Sequence, residues 1–471
     1  MSENIGKKLR HGIINVFIAN IINLIINLLT NFLLPKYLSV DSYAAIKTYY
    51  LYVAYAGVLS LGYVDGMFLK YGGIDFKDIN KKDLNCNLST FRIFQITIVA
   101  IMLLIIAFSG DMILLSFAFA TLPLNMTGYF RSLYQSIGEF KKYSRVMNTT
   151  TGATFIINML LLFGLKTDDY HYYLLSYVTL NILIWIVLEI YFAKSCLYKL
   201  KIILFSFKEA VENVKDGILL MLGNFSNIIL TSMDRWFIKA LMSNIEFAQY
   251  SFACSMENFI NVAVTPITVT LYNYFCKVNE NNQVKRIRNV IILFASALIA
   301  CAFPGKFVLE IYLTQYIEAT SVMFFLFAAQ LFYIINKSVY VNLYKARHLQ
   351  NRYFARLITV IVIGFIFNII CYAIVQSKES FALGTLLASI SWLFLSVRDF
   401  PEINFSLKEI LYITFVIIAF MLCGYMMEAI IGLIVYGLIV VVFSFVLMKS
   451  DLVFLLQMLI KMLPIKKKVH K

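Results

Sequence analysis

The sequence predicts an all-α polytopic membrane protein of about fourteen transmembrane helices. Three observations predict it. Of 471 residues, 61% are hydrophobic and 14% charged, and the mean hydropathy is +0.79. A soluble chain of that length could not shield so much apolar side chain. Apolar runs long enough to cross ~30 Å of hydrocarbon follow one another from end to end. Lys and Arg recur in short clusters between alternate runs, the pattern of cytoplasmic loops.

The same observations exclude other classes. The net charge of +15 is dispersed and forms no single patch, so it does not indicate nucleic acid. The seven Cys are scattered without CxxC or metal-ligand spacing, and the four His form no cluster, so neither a structural disulfide nor a metal site is expected. No GxSxG, HExxH or P-loop pattern occurs, so neither ATP hydrolysis nor enzyme chemistry with a cofactor is expected.

Taken in order, the spans fall near residues 12–34, 44–64, 90–109, 112–130, 146–165, 172–193, 217–242, 247–275, 289–305, 318–338, 357–375, 381–397, 410–427 and 430–448. The first follows Lys7, Lys8 and Arg10 and is too long for a signal peptide, and Thr30–Tyr37 offers no small-x-small cleavage site. It reads as a retained anchor. With the N-terminus in the cytoplasm, 34 of the 41 Lys and Arg fall in cytoplasmic segments or at the span ends bordering them. Outer connections hold Lys36, Lys166, Lys306 and Lys378, while Lys47, Arg235 and Lys239 lie within spans. A miscount in the middle would invert this bias from that point on, and no inversion occurs. Both termini are therefore placed in the cytoplasm. No connection is long enough to fold as a domain; the longest outer one is read around Phe303–Glu318.

A weak internal repeat supports two lobes. At an offset of 204, Asn20 matches Asn224, Asn23 matches Asn227, and Tyr43–Ala44 match Phe247–Ala248. At an offset of 210, Tyr134 matches Tyr344, Lys142 matches Arg352 and Tyr143 matches Tyr353. The expected division is a lobe over 1–200 with six spans, a second over 201–400 with six more, and 401–471 with two further spans and a basic tail. Both halves begin inside and hold six spans, so the repeat is parallel, with its pseudo-axis along the membrane normal; the family resemblance given below implies two pseudo-symmetric six-helix bundles around a central cavity.

Polar groups inside the spans mark candidate sites, because an ionisable group in hydrocarbon usually faces a bundle interior or water. Asn20, Asn23 and Asn27 share one face of the first span at i, i+3, i+7. Asp216–Met242 carries Asn224, Asn227, Asp234, Arg235 and Lys239, and Glu257 falls near mid-depth of the eighth span with Asn258 and Asn261 nearby. Bland readings stand beside these. Intramembrane Asn serves as interhelical glue worth ~0.6 kcal/mol, Lys47 and Lys239 can snorkel to the interface, and Asp234 and Arg235 can simply neutralise each other. Glu257 is the group a bland reading explains worst. Asp65 and Arg131, at helix ends, read as boundary residues.

The opening stretch 18–66, with Pro35, Tyr37–Ser39, Tyr43 and Gly62, resembles the first helical pair of Wzx-type polysaccharide flippases. Tyr134–Tyr143 resembles that family's cytoplasmic stretch after the fourth span, and Asp234–Arg235 followed by Phe247–Ala248 and Tyr250 resembles the start of its second lobe. The resemblance covers about residues 8–400. It implies the multidrug/oligosaccharidyl-lipid/polysaccharide (MOP) flippase fold, which is MATE-like. It also implies a flippase for undecaprenyl-diphosphate-linked oligosaccharide, serving O-antigen, capsule or other lipopolysaccharide-type glycans at the bacterial inner membrane. On that reading Arg235, Lys239 and Lys47 meet the diphosphate, and Asn20, Asn23, Asn27, Asn224 and Asn227 meet sugar hydroxyls. Glu257 and Asp234 bind a coupling H+ or Na+. The implied partners are the lipid-linked substrate, the bilayer, a glycan polymerase and a chain-length regulator. Simple family members have twelve spans, so the last pair is a departure, shared with the fourteen-span lipid II flippase type. The alternative is a cation-coupled exporter of drugs or small metabolites on the same fold. A glycan polymerase or ligase is disfavoured because no large outer loop carries catalytic Arg or His.

Overall fold

The computed structural model describes residues 2–106, 108–196, 205–278 and 280–462. The lobe boundary expected near residue 200 and the basic tail beyond residue 462 lie outside them. The described residues contain helices and no strand, so the expected fold class, an all-α polytopic membrane protein, is the one observed.

The chain divides into two compact units, Met1–Ser232 and Met233–Lys471. The first holds α1 (Ser2–Tyr37), α2 (Val40–Val53), a 3₁₀ turn at Ala56–Ser60, α3 (Tyr63–Tyr71), α4 (Lys81–Ile106), α5 (Met112–Ser136), α6 (Phe140–Met159) and α7 (Tyr170–Cys196). Helix α8 (Phe207–Leu241) begins in the first unit and ends in the second. The second unit continues with α9 (Asn244–Glu257), α10 (Ile260–Phe275), α11 (Asn281–Leu298), α12 (Ala302–Ile311), α13 (Ala319–Ile335), α14 (Val341–Ala346), α15 (Gln350–Ile374) and α16 (Lys378–Asp399). It closes with α17 (Leu407–Met426), α18 (Ala429–Leu447) and α19 (Lys449–Met462). Helix starts follow local chemistry. Asp111 accepts the free amides of Ile113 and Leu114 at the start of α5, and Ser243–Glu246 and Ser406–Glu409 form capping boxes on α9 and α17.

Among the described residues, twelve helices are long and apolar enough to cross a membrane. With the second predicted span counted as one bent pair the number is thirteen, against the fourteen expected, and the eighth predicted span is not among them. The second bends by 59° between Val40–Ser60 and Tyr63–Tyr71, where Leu61 and Gly62 take left-handed backbone at φ 48° and 83°. The eighth is interrupted after Glu257 and leaves helices of 14 and 16 residues. Both breaks sit at equivalent places. Helix α2 spans Val40–Val53 behind a Ser39 cap and α9 spans Asn244–Glu257 behind a Ser243 cap, so every landmark is displaced by 204. Farther on, left-handed Gly138 precedes α6 as left-handed His348 precedes α15, displaced by 210. The repeat read from scattered side chains is thus carried by the backbone.

In the first unit α3 and α8 cross backbone to backbone. A Cβ on Gly66 would lie 2.0 Å from the Asn213 carbonyl oxygen, and one on Gly217 would lie 2.0 Å from that of Gly62. Gly66→Ala is expected to cost about 3 kcal/mol, the upper end of overpacking penalties, because backbone and not a flexible side chain must yield. Thermal unfolding in detergent checks this; a variant as stable as wild type would contradict the crossing. Around it Tyr63, Phe91, Tyr129, Phe130 and Phe192 stack into an aromatic core. Asn87, within that core, receives the Tyr129 hydroxyl at 2.7 Å and donates to Glu209 at 2.6 Å.

In the second unit α13 is buried along almost its whole length. The extra pair, α17 and α18, packs on α11–α13 through Phe303, Phe324, Phe420 and Tyr436. Three expectations change here. The outer connection read at Phe303–Glu318 is mostly helix, since α12 runs to Ile311. The tail contains α19, which packs against α11, with Arg286 stacked on Phe454 at 4.0 Å. The tenth span, read as ending at residue 338, continues through a π-helical stretch at Asn336–Tyr340 to Ala346. Beside α16, Lys378 donates to Gln249 and, at 3.2 Å, to Glu318, and this bond holds the Glu318 carboxyl below the usual range.

Candidate transport site

The sequence-derived candidates fall into two groups, one on each unit. In the first unit, Asn20 and Asn27 are exposed on α1, while Asn23 is buried and donates to Asn148 of α6 at 3.2 Å. Asn23 therefore joins two helices. Lys47 of α2 donates to Asn31 of α1 at 3.0 Å and lies 5.1 Å from the Tyr43 ring centre. On α8, Asn224 is exposed and donates to Asp65 at 3.4 Å, and Asn227 returns its amide to the Gly223 carbonyl of its own helix at 3.0 Å.

In the second unit, Asp234 is buried and its carboxylate is fully engaged. It accepts the Tyr250 hydroxyl at 2.5 Å, the Thr385 hydroxyl at 3.3 Å and the Arg235 backbone amide at 2.8 Å. It pins α8 to α9 and α16. Arg235 is half-buried beside it and within electrostatic reach of Glu257. Lys239 turns to the α8–α9 connection, donating to Asn244 at 3.2 Å and lying 5.4 Å from the Phe247 ring. Glu257, the last residue of α9, accepts from the Gln330 amide of α13.

Sequence reading missed two members of this second group. Gln330 is buried in the middle of α13. Lys337 is half-buried on the π-helical stretch, within electrostatic reach of Glu257 and 5.5 Å from the Tyr333 ring. The sequence places it at the inner end of the tenth span, and the apolar Val339–Val341 that follows is the signal that the helix goes on. A carboxylate at membrane depth needs a donor or a cation, and here Gln330, Arg235 and Lys337 supply both.

A third feature was not anticipated. The first unit contains a cavity of about 370 Å³ beside the break in the second span, bounded by α5, α6, α7 and the Val53–Gly57 segment. Arg131, read as a boundary residue, lines it.

No family model matches the chain, and comparison with curated proteins gives no match. Solved structures do match. A MATE family multidrug resistance transporter of the MOP superfamily, inward-facing, is similar over 82% of this chain and 95% of its own, at 12% identity and a TM-score of 0.49. The lipid II flippase MurJ, in an inward closed conformation, is similar over 94% of this chain and 99% of its own, at 14% identity and a TM-score of 0.63. At that identity the likeness is one of fold, and the fold of this chain is that of the lipid II flippase.

Proposed function

We propose that this chain is a non-enzymatic MOP-superfamily transporter, a flippase that carries undecaprenyl-diphosphate-linked oligosaccharide units from the cytoplasmic to the outer leaflet of the bacterial inner membrane. The observation that supports this most is the reach of the lipid II flippase likeness. Residues 401–471 are 71 of 471, so a match over 94% takes in most of the segment holding α17 and α18. A polar headgroup cannot cross hydrocarbon unaided, and broken spans at membrane depth are the usual sign of a lined path. Both termini lie in the cytoplasm on this reading, from the placement of Lys and Arg. The Wzx-type resemblance supplies the substrate class. Arg235, with Lys239 and Lys47, is assigned to the diphosphate. Asn20, Asn27 and Asn224, being exposed, are assigned to sugar hydroxyls ahead of the buried Asn23, and also ahead of Asn227, which is exposed but returns its amide to its own helix. A glycan polymerase and a chain-length regulator would receive the product.

Glu257 is assigned to the coupling proton or Na+, with Asp234 as its neighbour. Glu257→Gln keeps a hydrogen-bonding group opposite Gln330 and removes the titration. It is expected to slow transport at least about tenfold, about 1.4 kcal/mol of barrier, and to flatten the pH dependence of the rate. Wild-type export by this variant would assign Glu257 to packing.

The test of the function is a deletion strain. Loss of surface polymer, with lipid-linked units stranded on the cytoplasmic leaflet, is the expected result. Unchanged polymer with altered sensitivity to cationic compounds would favour the cation-coupled exporter.

A further inference from the structure

The repeat makes the two units comparable residue by residue. Glu257, at the break in the eighth span, corresponds through the 204 offset to Val53, at the break in the second. Through the 210 offset the π-helical stretch that carries Lys337 corresponds to the turn of α5 that carries Thr127. In the second unit this neighbourhood is filled by the chain's own charges. In the first it is lined by Val53, Ala54, Gly57, Thr127 and Gly128, and it is hollow.

The lining is one-sided in charge. Arg131 is the charged residue among those that bound the cavity, and no acidic residue joins it there. Among the described residues, no hydrogen bond or ion pair reaches its guanidinium. One turn along α5, Thr127 is 8% exposed, and its buried hydroxyl has no partner. Thr150 and Thr151 of α6 and Asn181 of α7 add further polar groups to the same wall. Arg131 is itself exposed, five residues before the end of α5, so the polar wall and the unpartnered Thr127 hydroxyl, more than the arginine, distinguish this cavity.

We infer that this cavity is a binding site for an anionic, hydroxyl-bearing group of the sugar-phosphate class, with the anion on Arg131 and the hydroxyls against Thr127, Thr150 and Asn181. A guanidinium matches a phosphate with two parallel donors, and about 370 Å³ falls in the range of small-molecule sites. The ligand's negative charge takes, in the first unit, the place that the Glu257 carboxylate holds in the second. The inference rests on the flippase reading for the source of the group and on the cavity alone for its existence.

Two glycines make the test clean. A Cβ on Gly57 or Gly128 would meet nothing within 4 Å, so a side chain at Gly128, which lines the cavity, starts into open space, and Gly128→Leu is expected to occupy it. The full-length protein carrying Arg235→Ala, so that the proposed diphosphate site does not contribute, is titrated in nanodiscs with glucose 1-phosphate and, separately, with a polyprenyl-phosphate-linked glucose. This background is expected to bind at least one probe. Arg131→Gln and Gly128→Leu should each weaken that binding at least tenfold while remaining monodisperse, and Arg131→Lys should retain part of it. Binding of the lipid-linked probe alone identifies a lipid headgroup as the source; binding of both admits a free sugar phosphate. No binding by the Arg235→Ala background, or binding left unchanged when Arg131→Gln or Gly128→Leu is added to it, overturns the proposal. If binding is lost as expected but a deletion strain still displays its glycan, the site stands and the flippase reading falls.

Discussion

Arg235→Ala is expected to insert and fold normally and to lose glycan export by about 100-fold. Hydrogen bonds to a charged group contribute about 1.5–3 kcal/mol each, and about 2.7 kcal/mol corresponds to that factor. Folding should survive, because Asp234 keeps its bonds from Tyr250 and Thr385 when the guanidinium is gone, and Lys337 remains near Glu257. Arg235→Lys should fall between, since it retains the charge and loses the two-pronged geometry. Surface polymer measured beside membrane abundance of each variant checks this. Normal display by Arg235→Ala would remove the diphosphate assignment.

The largest expected effect on stability lies elsewhere. Arg288 of α11 is fully buried. Its guanidinium donates to Glu409 at 2.6 Å, to Asn289 at 2.8 Å and to the Ile403 carbonyl, and it stacks on Phe405 at 4.1 Å. Asn289 in turn donates to Glu409 at 2.8 Å and to Asp451 of α19 at 3.1 Å. This network ties the start of α17 and the C-terminal helix to the body of the second unit. Arg288→Ala leaves Glu409 buried with, among the described residues, only Lys285, at 4.0 Å, as a cation, and should cost about 3–5 kcal/mol. Limited proteolysis should show the segment after Asp399 released first. The double replacement Arg288→Met with Glu409→Leu should recover much of the loss, because it leaves no unpaired buried charge. Equal sensitivity of the single and double variants would contradict the network.

The spans were legible because hydropathy and the placement of Lys and Arg report on lipid and topology directly. The repeat was legible through Asn20, Asn224 and a few aromatic pairs, and it proved to mark equivalent helix breaks. What escaped reading was the use of long basic side chains at span ends. Arg131 reads from the sequence as a boundary residue, and nothing in the sequence marks Arg288 or Lys337 out from the other cytoplasm-side Lys and Arg, since a charge count carries no information about partners. Their roles depend on residues far along the chain: Glu409 for Arg288, Glu257 for Lys337, and a cavity wall built from four segments for Arg131. The same limit applies to Asn23 and Asn227, which looked alike in sequence. One bonds across to Asn148, and the other returns to its own helix.

Sidedness in a purified system tests the central claim most directly. The protein is reconstituted into vesicles whose inner leaflet carries an undecaprenyl-diphosphate-linked oligosaccharide, and a glycosidase added outside reports units that reach the outer leaflet. The account predicts that wild type exposes the oligosaccharide and that Arg235→Ala leaves it protected. Protection that persists with wild-type protein, under both proton and sodium gradients, would contradict it.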